Sequence, residues 1–73
     1  MNLNLLEYHM AKKQDTKKEL AKALDMSLQT LYRRLRTASF SFPEIKVITS
    51  RYNLTEAEFR EIFLVNEFTF KQL

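Results

Sequence analysis

The sequence predicts an all-α domain of five short helices, and three observations lead there. Leucines and other apolar residues recur at three- and four-residue spacings through most of the chain. Ser/Thr-x-x-Glu signals stand where those apolar runs begin. Only the last stretch of the chain alternates with the period of a strand.

The first helix, expected over residues 4–14, carries Leu6 and Met10 on one face with Leu3 just ahead, and Asn4-x-x-Glu7 is a weak start signal. The second, over 16–24, opens on Thr16-x-x-Glu19 and presents Leu20, Ala21 and Leu24. In such a capping box the hydroxyl accepts the third backbone N–H, and the Glu reaches back to the N–H of the cap. Ser27 caps a third helix over 27–36, whose Leu28, Leu31, Tyr32 and Leu35 form the apolar side. Residues 37–41 are the one true loop, which Phe40 and Phe42 are expected to staple to the core. Ser41-x-x-Glu44 opens the fourth helix, over 42–52, with Pro43 in its first turn, where a missing N–H costs nothing. Thr55-x-x-Glu58 opens the fifth, over 55–64, which contributes Phe59, Ile62 and Phe63 to the core. One domain is therefore expected over residues 1–64. From Val65 to Leu73, Phe68 and Phe70 alternate with Glu67, Thr69 and Lys71, which predicts a short extended tail. A lone strand must dock on the core, pair with another chain, or fray.

Composition narrows the function classes. With no Cys there is neither a disulfide framework nor a thiolate zinc site. With no Gly there is no P-loop or dinucleotide fingerprint. A single His9, expected at the edge of the core, leaves no imidazole cluster, so no metal and no cofactor are expected. Carboxylates such as Glu58 and Glu61 belong to a solvated helix face, and no nucleophile–base pair suggests an enzyme or a small-molecule substrate. The longest apolar run, Ile62–Val65, is far short of the roughly 20 residues that span a bilayer. No membrane partner and no secretory leader are expected, which makes the cytoplasm the expected compartment. Net charge is +3, and it is uneven. Residues 1–37 hold eight Lys and Arg against four acids, whereas residues 38–73 hold four against five. A basic half of this kind suits a polyanion.

Between Thr16 and Arg36 a two-turn helix, three turning residues and a second helix follow in order. Ala21 sits where two helices could approach closely, and Leu20, Leu24, Met26, Leu31 and Leu35 would fill the wedge between them. This is the layout of a helix-turn-helix, whose second helix is held out to enter a DNA major groove. Thr16-Lys17-Lys18-Glu19-Leu20-Ala21-x-x-Leu24-x-Met26-Ser27-x-x-Thr30-Leu31 resembles the helix-turn-helix of phage lambda repressor/Cro-type DNA-binding domains. Phe42-Pro43-Glu44-Ile45-x-x-Ile48 and Tyr52-Asn53-Leu54-Thr55-x-x-Glu58-Phe59 resemble that family's fourth and fifth helices, so the likeness covers residues 3–64. Two positions depart from the family pattern. Asp25 stands where the family has a turn glycine, and Asp tolerates positive φ better than most side chains. Arg34 stands where the family often has an apolar residue, with Leu35 taking that part, which predicts a recognition helix turned slightly about its axis.

Helical periodicity alone also assigns the faces of the third helix. At about 100° per residue, with Leu31 at zero, Leu35, Leu28 and Tyr32 lie at about 40°, 60° and 100°. Arg36, Gln29 and Arg33 lie opposite, at about 140°, 160° and 200°, with Thr30 and Arg34 on a flank at about 260° and 300°. Gln pairs both amide groups with adenine, and Arg bonds guanine bidentately. The expected base readers are Leu28, Gln29, Thr30 and Arg33. The expected phosphate contacts are Thr16, Lys17, Lys18, Ser27, Arg34 and Arg36. Lys17 and Lys18 oppose the dipole of the helix they begin, so a phosphate partner would explain them. The resemblance thus implies a Cro- or repressor-like transcriptional regulator of double-stranded DNA. It also implies a homodimer on paired half-sites, for which the tail residues Val65, Phe68 and Phe70 are the expected interface. The alternative is a small helical interaction module of antitoxin or anti-repressor type, for which the apolar tail would be the contact.

Overall fold

The computed structural model describes residues 1–63, and these form five α-helices joined by short turns. They are α1 (Leu3–Lys12), α2 (Lys17–Ala23), α3 (Leu28–Thr37), α4 (Phe42–Arg51) and α5 (Glu56–Phe63). The expected extended tail, with Val65, Phe68 and Phe70, lies outside the described residues.

The starts follow the capping signals with two corrections. α1 is capped by Asn2 rather than Asn4: the Asn2 side chain accepts the Leu5 N–H at 3.1 Å. The Asn2 N–H also donates to the Ile62 carbonyl at 2.6 Å, so the front of α1 is anchored on α5. That tertiary bond, invisible in local sequence, selects the earlier cap. At α2, the Thr16 hydroxyl accepts the Glu19 N–H at 3.1 Å, but Glu19 takes the hydroxyl proton of Thr16 instead of its backbone N–H. The full box forms at Ser41–Glu44 and at Thr55–Glu58.

The helix ends share one device. Gln14, Asp25 and Asn53 adopt positive φ of 57°, 56° and 50° directly after the last turns of α1, α2 and α4. In each, two N–H groups fold back on carbonyls of the preceding turn, as in Asp25 N to Lys22 O at 3.1 Å and Met26 N to Ala21 O at 3.0 Å. Ala38 closes α3 in the same left-handed region, at φ 53°. Left-handed closure turns the chain within two or three residues, which is why five helices fit in so few residues.

The core consists of Leu6 and Met10 from α1, Leu20, Ala21 and Leu24 around α2, Leu31 and Leu35 from α3, Ile48 and Tyr52 from α4, and Ile62 from α5. Leu6, Leu20, Leu31, Ile48 and Ile62 are fully enclosed. The wedge expected between the second and third helices forms, with Met26 half-buried at its edge. His9 is buried at the core edge, its Nε2 3.5 Å from Glu58 of the α5 capping box. Phe40 staples the loop after α3 by an edge-on contact with Phe63. Phe42 does not: it is about half exposed, because its place at the first turn of α4 points it away from the core.

Candidate nucleic-acid interface

α2 and α3 are the most closely packed helix pair among the described residues, and their junction decides what α3 presents. Ala21, nearly inaccessible, lets the backbones approach, and Leu20 and Leu31 close the seam. Asp25 supplies the left-handed turn and Ser27 starts the next helix, its Oγ accepting the Thr30 N–H at 3.1 Å. The same Oγ donates to the Thr30 hydroxyl at 2.9 Å, so these two side chains engage each other.

With its inner face fixed, α3 turns Gln29, Arg33 and Arg36 to solvent. Among the described residues none of these three side chains has a hydrogen-bond or ion-pair partner. Together with Thr30 and Tyr32 they line one depression on the outer side of the helix. Leu28 is half-buried against the core, at the inner edge of this surface.

Tyr32 corrects the sequence expectation. Placed with the leucines on the apolar side, it is instead 51% exposed. The reason lies across the helix. Arg34 is half-buried and bonds Glu44 of α4 and, at 3.3 Å, the Ser39 carbonyl. Holding that flank inward toward α4 rolls the opposite flank, where Tyr32 sits, outward. Glu44 has two tasks, since the same Oε1 accepts the Ser41 N–H at 2.8 Å. The start of α4 and the flank of α3 are thus joined through one carboxylate.

The basic residues of α2 divide. Lys17 pairs with Glu7 of α1 at 2.8 Å, whereas Lys18 is exposed and has no partner among the described residues. A partly exposed ion pair of this kind contributes about 1 kcal/mol or less. Thr16 is occupied with its capping bonds.

The turn between α1 and α2 and the end of α4 form a polar cluster that local sequence did not signal. Asp15, almost inaccessible between α1 and α2, takes a bidentate pair from Arg51: Nε to Oδ2 at 2.7 Å and Nη2 to Oδ1 at 2.9 Å. The Tyr52 hydroxyl donates to the same Oδ2 at 2.7 Å. The Arg51 bonds outweigh the cost of burial and, with Tyr52, hold the Asp15 carboxyl down to about 2. Burial, then the neighbouring carboxylate, push the Tyr52 phenol well above its usual range. Lys13 donates to the Arg51 carbonyl and lies over the Tyr52 ring at 5.9 Å. Thirty-six residues separate Asp15 from Arg51, and no spacing rule pairs residues so far apart.

No three His, Asp or Glu among the described residues are placed to hold a metal ion, and no described helix is long and apolar enough to cross a membrane. No family model, curated protein or solved structure matches the chain.

Proposed function

We propose that this chain is a sequence-specific double-stranded DNA-binding regulator of the repressor or Cro type, which lays α3 in the major groove. The observation that carries the reading is the outer face of α3, where Gln29, Arg33 and Arg36 stand exposed, and unpartnered among the described residues, on a helix whose inner face is fixed by buried leucines. Two Arg side chains without a carboxylate partner among the described residues, beside a Gln, offer the donors and acceptors that base edges can pair with. Gln29 and Arg33 read bases, with Thr30 and Leu28 at the edge of the contact. Lys18 and Arg36 meet phosphates, joined by Lys17 once it leaves Glu7, and by Thr16 and Ser27 through groups that also cap helices. Arg34, held by Glu44, contributes to phosphate binding only by leaving that pair. A homodimer through the tail residues Val65, Phe68 and Phe70 completes the proposal, because one helix reads too few base pairs to single out a genomic site.

Selection of bound duplexes from a random pool tests this reading, and a palindromic consensus is the expected signature of two-fold pairing. On the selected duplex, Arg33→Ala should cost about 1–3 kcal/mol and relax one base position. Lys17→Ala should weaken all sequences alike and lessen the dependence on salt, which arises from counterion release. A pool that yields no enriched sequence, with affinity flat between low and physiological salt, would refute the reading. A second reading, a helical protein-interaction module, is favoured by the groove between α4 and α5, beside which Phe42 stands exposed. Retained function in Arg33→Ala would favour that module.

A further inference from the structure

We propose that Tyr32 is a specificity-determining residue that reads the 5-methyl group of a thymine beside the bases met by Gln29 and Arg33. The proposal rests on the DNA-binding reading and adds to it a ligand feature and a residue to recognise it. The buried arc of α3 is made by Leu31, Leu35 and half-buried Leu28. A symmetrical amphipathic helix would centre its exposed face on Arg33, directly opposite. Arg34, drawn toward α4 by Glu44, removes one flank from that face, so the exposed arc shifts toward Tyr32, Arg36 and Gln29.

Tyr32 therefore lies inside the reading surface. It shares one depression with Gln29, Thr30, Arg33 and Arg36. Half of the side chain faces solvent, and among the described residues it has no hydrogen bond and no ring partner. An aromatic ring left half in water forgoes burial that a modest roll of the helix would supply. Its neighbours Gln29, Arg33 and Arg36 end in polar groups, and Thr30, the other side chain with a methyl there, is half-buried and tied to Ser27, so the Tyr32 ring is the largest exposed apolar surface in the depression. Thymine's C5-methyl is the one apolar feature on the major-groove edge of the bases, and an aromatic or aliphatic side chain is its natural contact. The phenol hydroxyl has a different potential partner, a phosphate oxygen, and this alternative makes a distinct set of predictions.

The experiment replaces each thymine of the selected duplex, one at a time, by deoxyuridine, which removes only the methyl. For the wild-type chain, one such replacement should weaken binding about fourfold, the effect of losing one buried methyl contact. Tyr32→Phe should retain that sensitivity and most of the affinity. Tyr32→Ala should bind the thymine and uracil duplexes equally and keep the wild-type salt slope, with circular dichroism showing an unchanged helical fold. The inference is overturned if no thymine is sensitive, or if Tyr32→Ala keeps the sensitivity. It is also overturned if Tyr32→Phe loses as much affinity as Tyr32→Ala together with part of the salt slope, which would make Tyr32 a phosphate contact. Failure of the pool selection removes the DNA reading itself, whereas an enriched site indifferent to uracil removes only the role of Tyr32.

Discussion

Asp15 has a larger effect on stability than its place in a short turn suggests. Its carboxyl titrates near 2 in the fold, against 3.8 unperturbed, because Arg51 and Tyr52 bond the charged form. A carboxyl lowered on folding stabilises the fold above its unfolded pKa, and that stability is lost as pH falls toward the folded value. The shift corresponds to about 2 kcal/mol, present at neutral pH and lost between about pH 4 and 2. Asp15→Asn should therefore lower the free energy of unfolding by about that amount at pH 7. The gap from wild type should close as the buffer is taken through the same window, and urea titrations along that series measure it. A gap that persists undiminished at pH 2 would assign the loss to packing rather than to charge.

At the scale of the elements, the starts of helices were far more legible in the sequence than their ends. A capping residue and its Glu lie within four positions, so Ser41–Glu44 and Thr55–Glu58 could be read directly and formed in full. The cap of α1 lies two positions ahead of the one local sequence suggests, where Asn2 also bonds Ile62. Helix ends normally announce themselves by glycine, and this chain has none. Left-handed closure passes instead to Gln14, Asp25, Ala38 and Asn53, of which sequence reasoning anticipated only Asp25. Ala38 has the least to offset the conformational cost, since it is exposed and lacks the polar side chain that helps Asn and Asp. Ala38→Gly should stabilise the fold by about 1 kcal/mol, or roughly 4–8 °C in Tm. Asn53→Gly should gain clearly less, and calorimetry on the pair checks the difference. The candidate site divides in the same way. The exposure of Gln29, Arg33 and Arg36 follows from helical periodicity alone. The outward roll of Tyr32 depends on the Arg34–Glu44 pair, a contact between two helices that no single-helix projection contains.

For the whole molecule, the left-handed closures and the α2–α3 seam join residues close in sequence, whereas α1 is held to α5 across nearly the whole described chain. Chains dominated by local contacts fold fast, because little loop-closure entropy is spent before contacts form. The Asp15–Arg51–Tyr52 cluster is among the distant contacts, bridging 36 and 37 residues. Its consequence is kinetic. A cluster that needs α4 already seated on the first two helices should close after the main barrier, so its φ-value should lie near zero. Asp15→Asn is then expected to speed unfolding by nearly its whole equilibrium effect while leaving the refolding rate almost unchanged. Stopped-flow chevrons would read this as a shift of the unfolding arm alone. The cluster thus works as a latch: it has little part in how quickly the domain assembles and sets how long each molecule stays assembled.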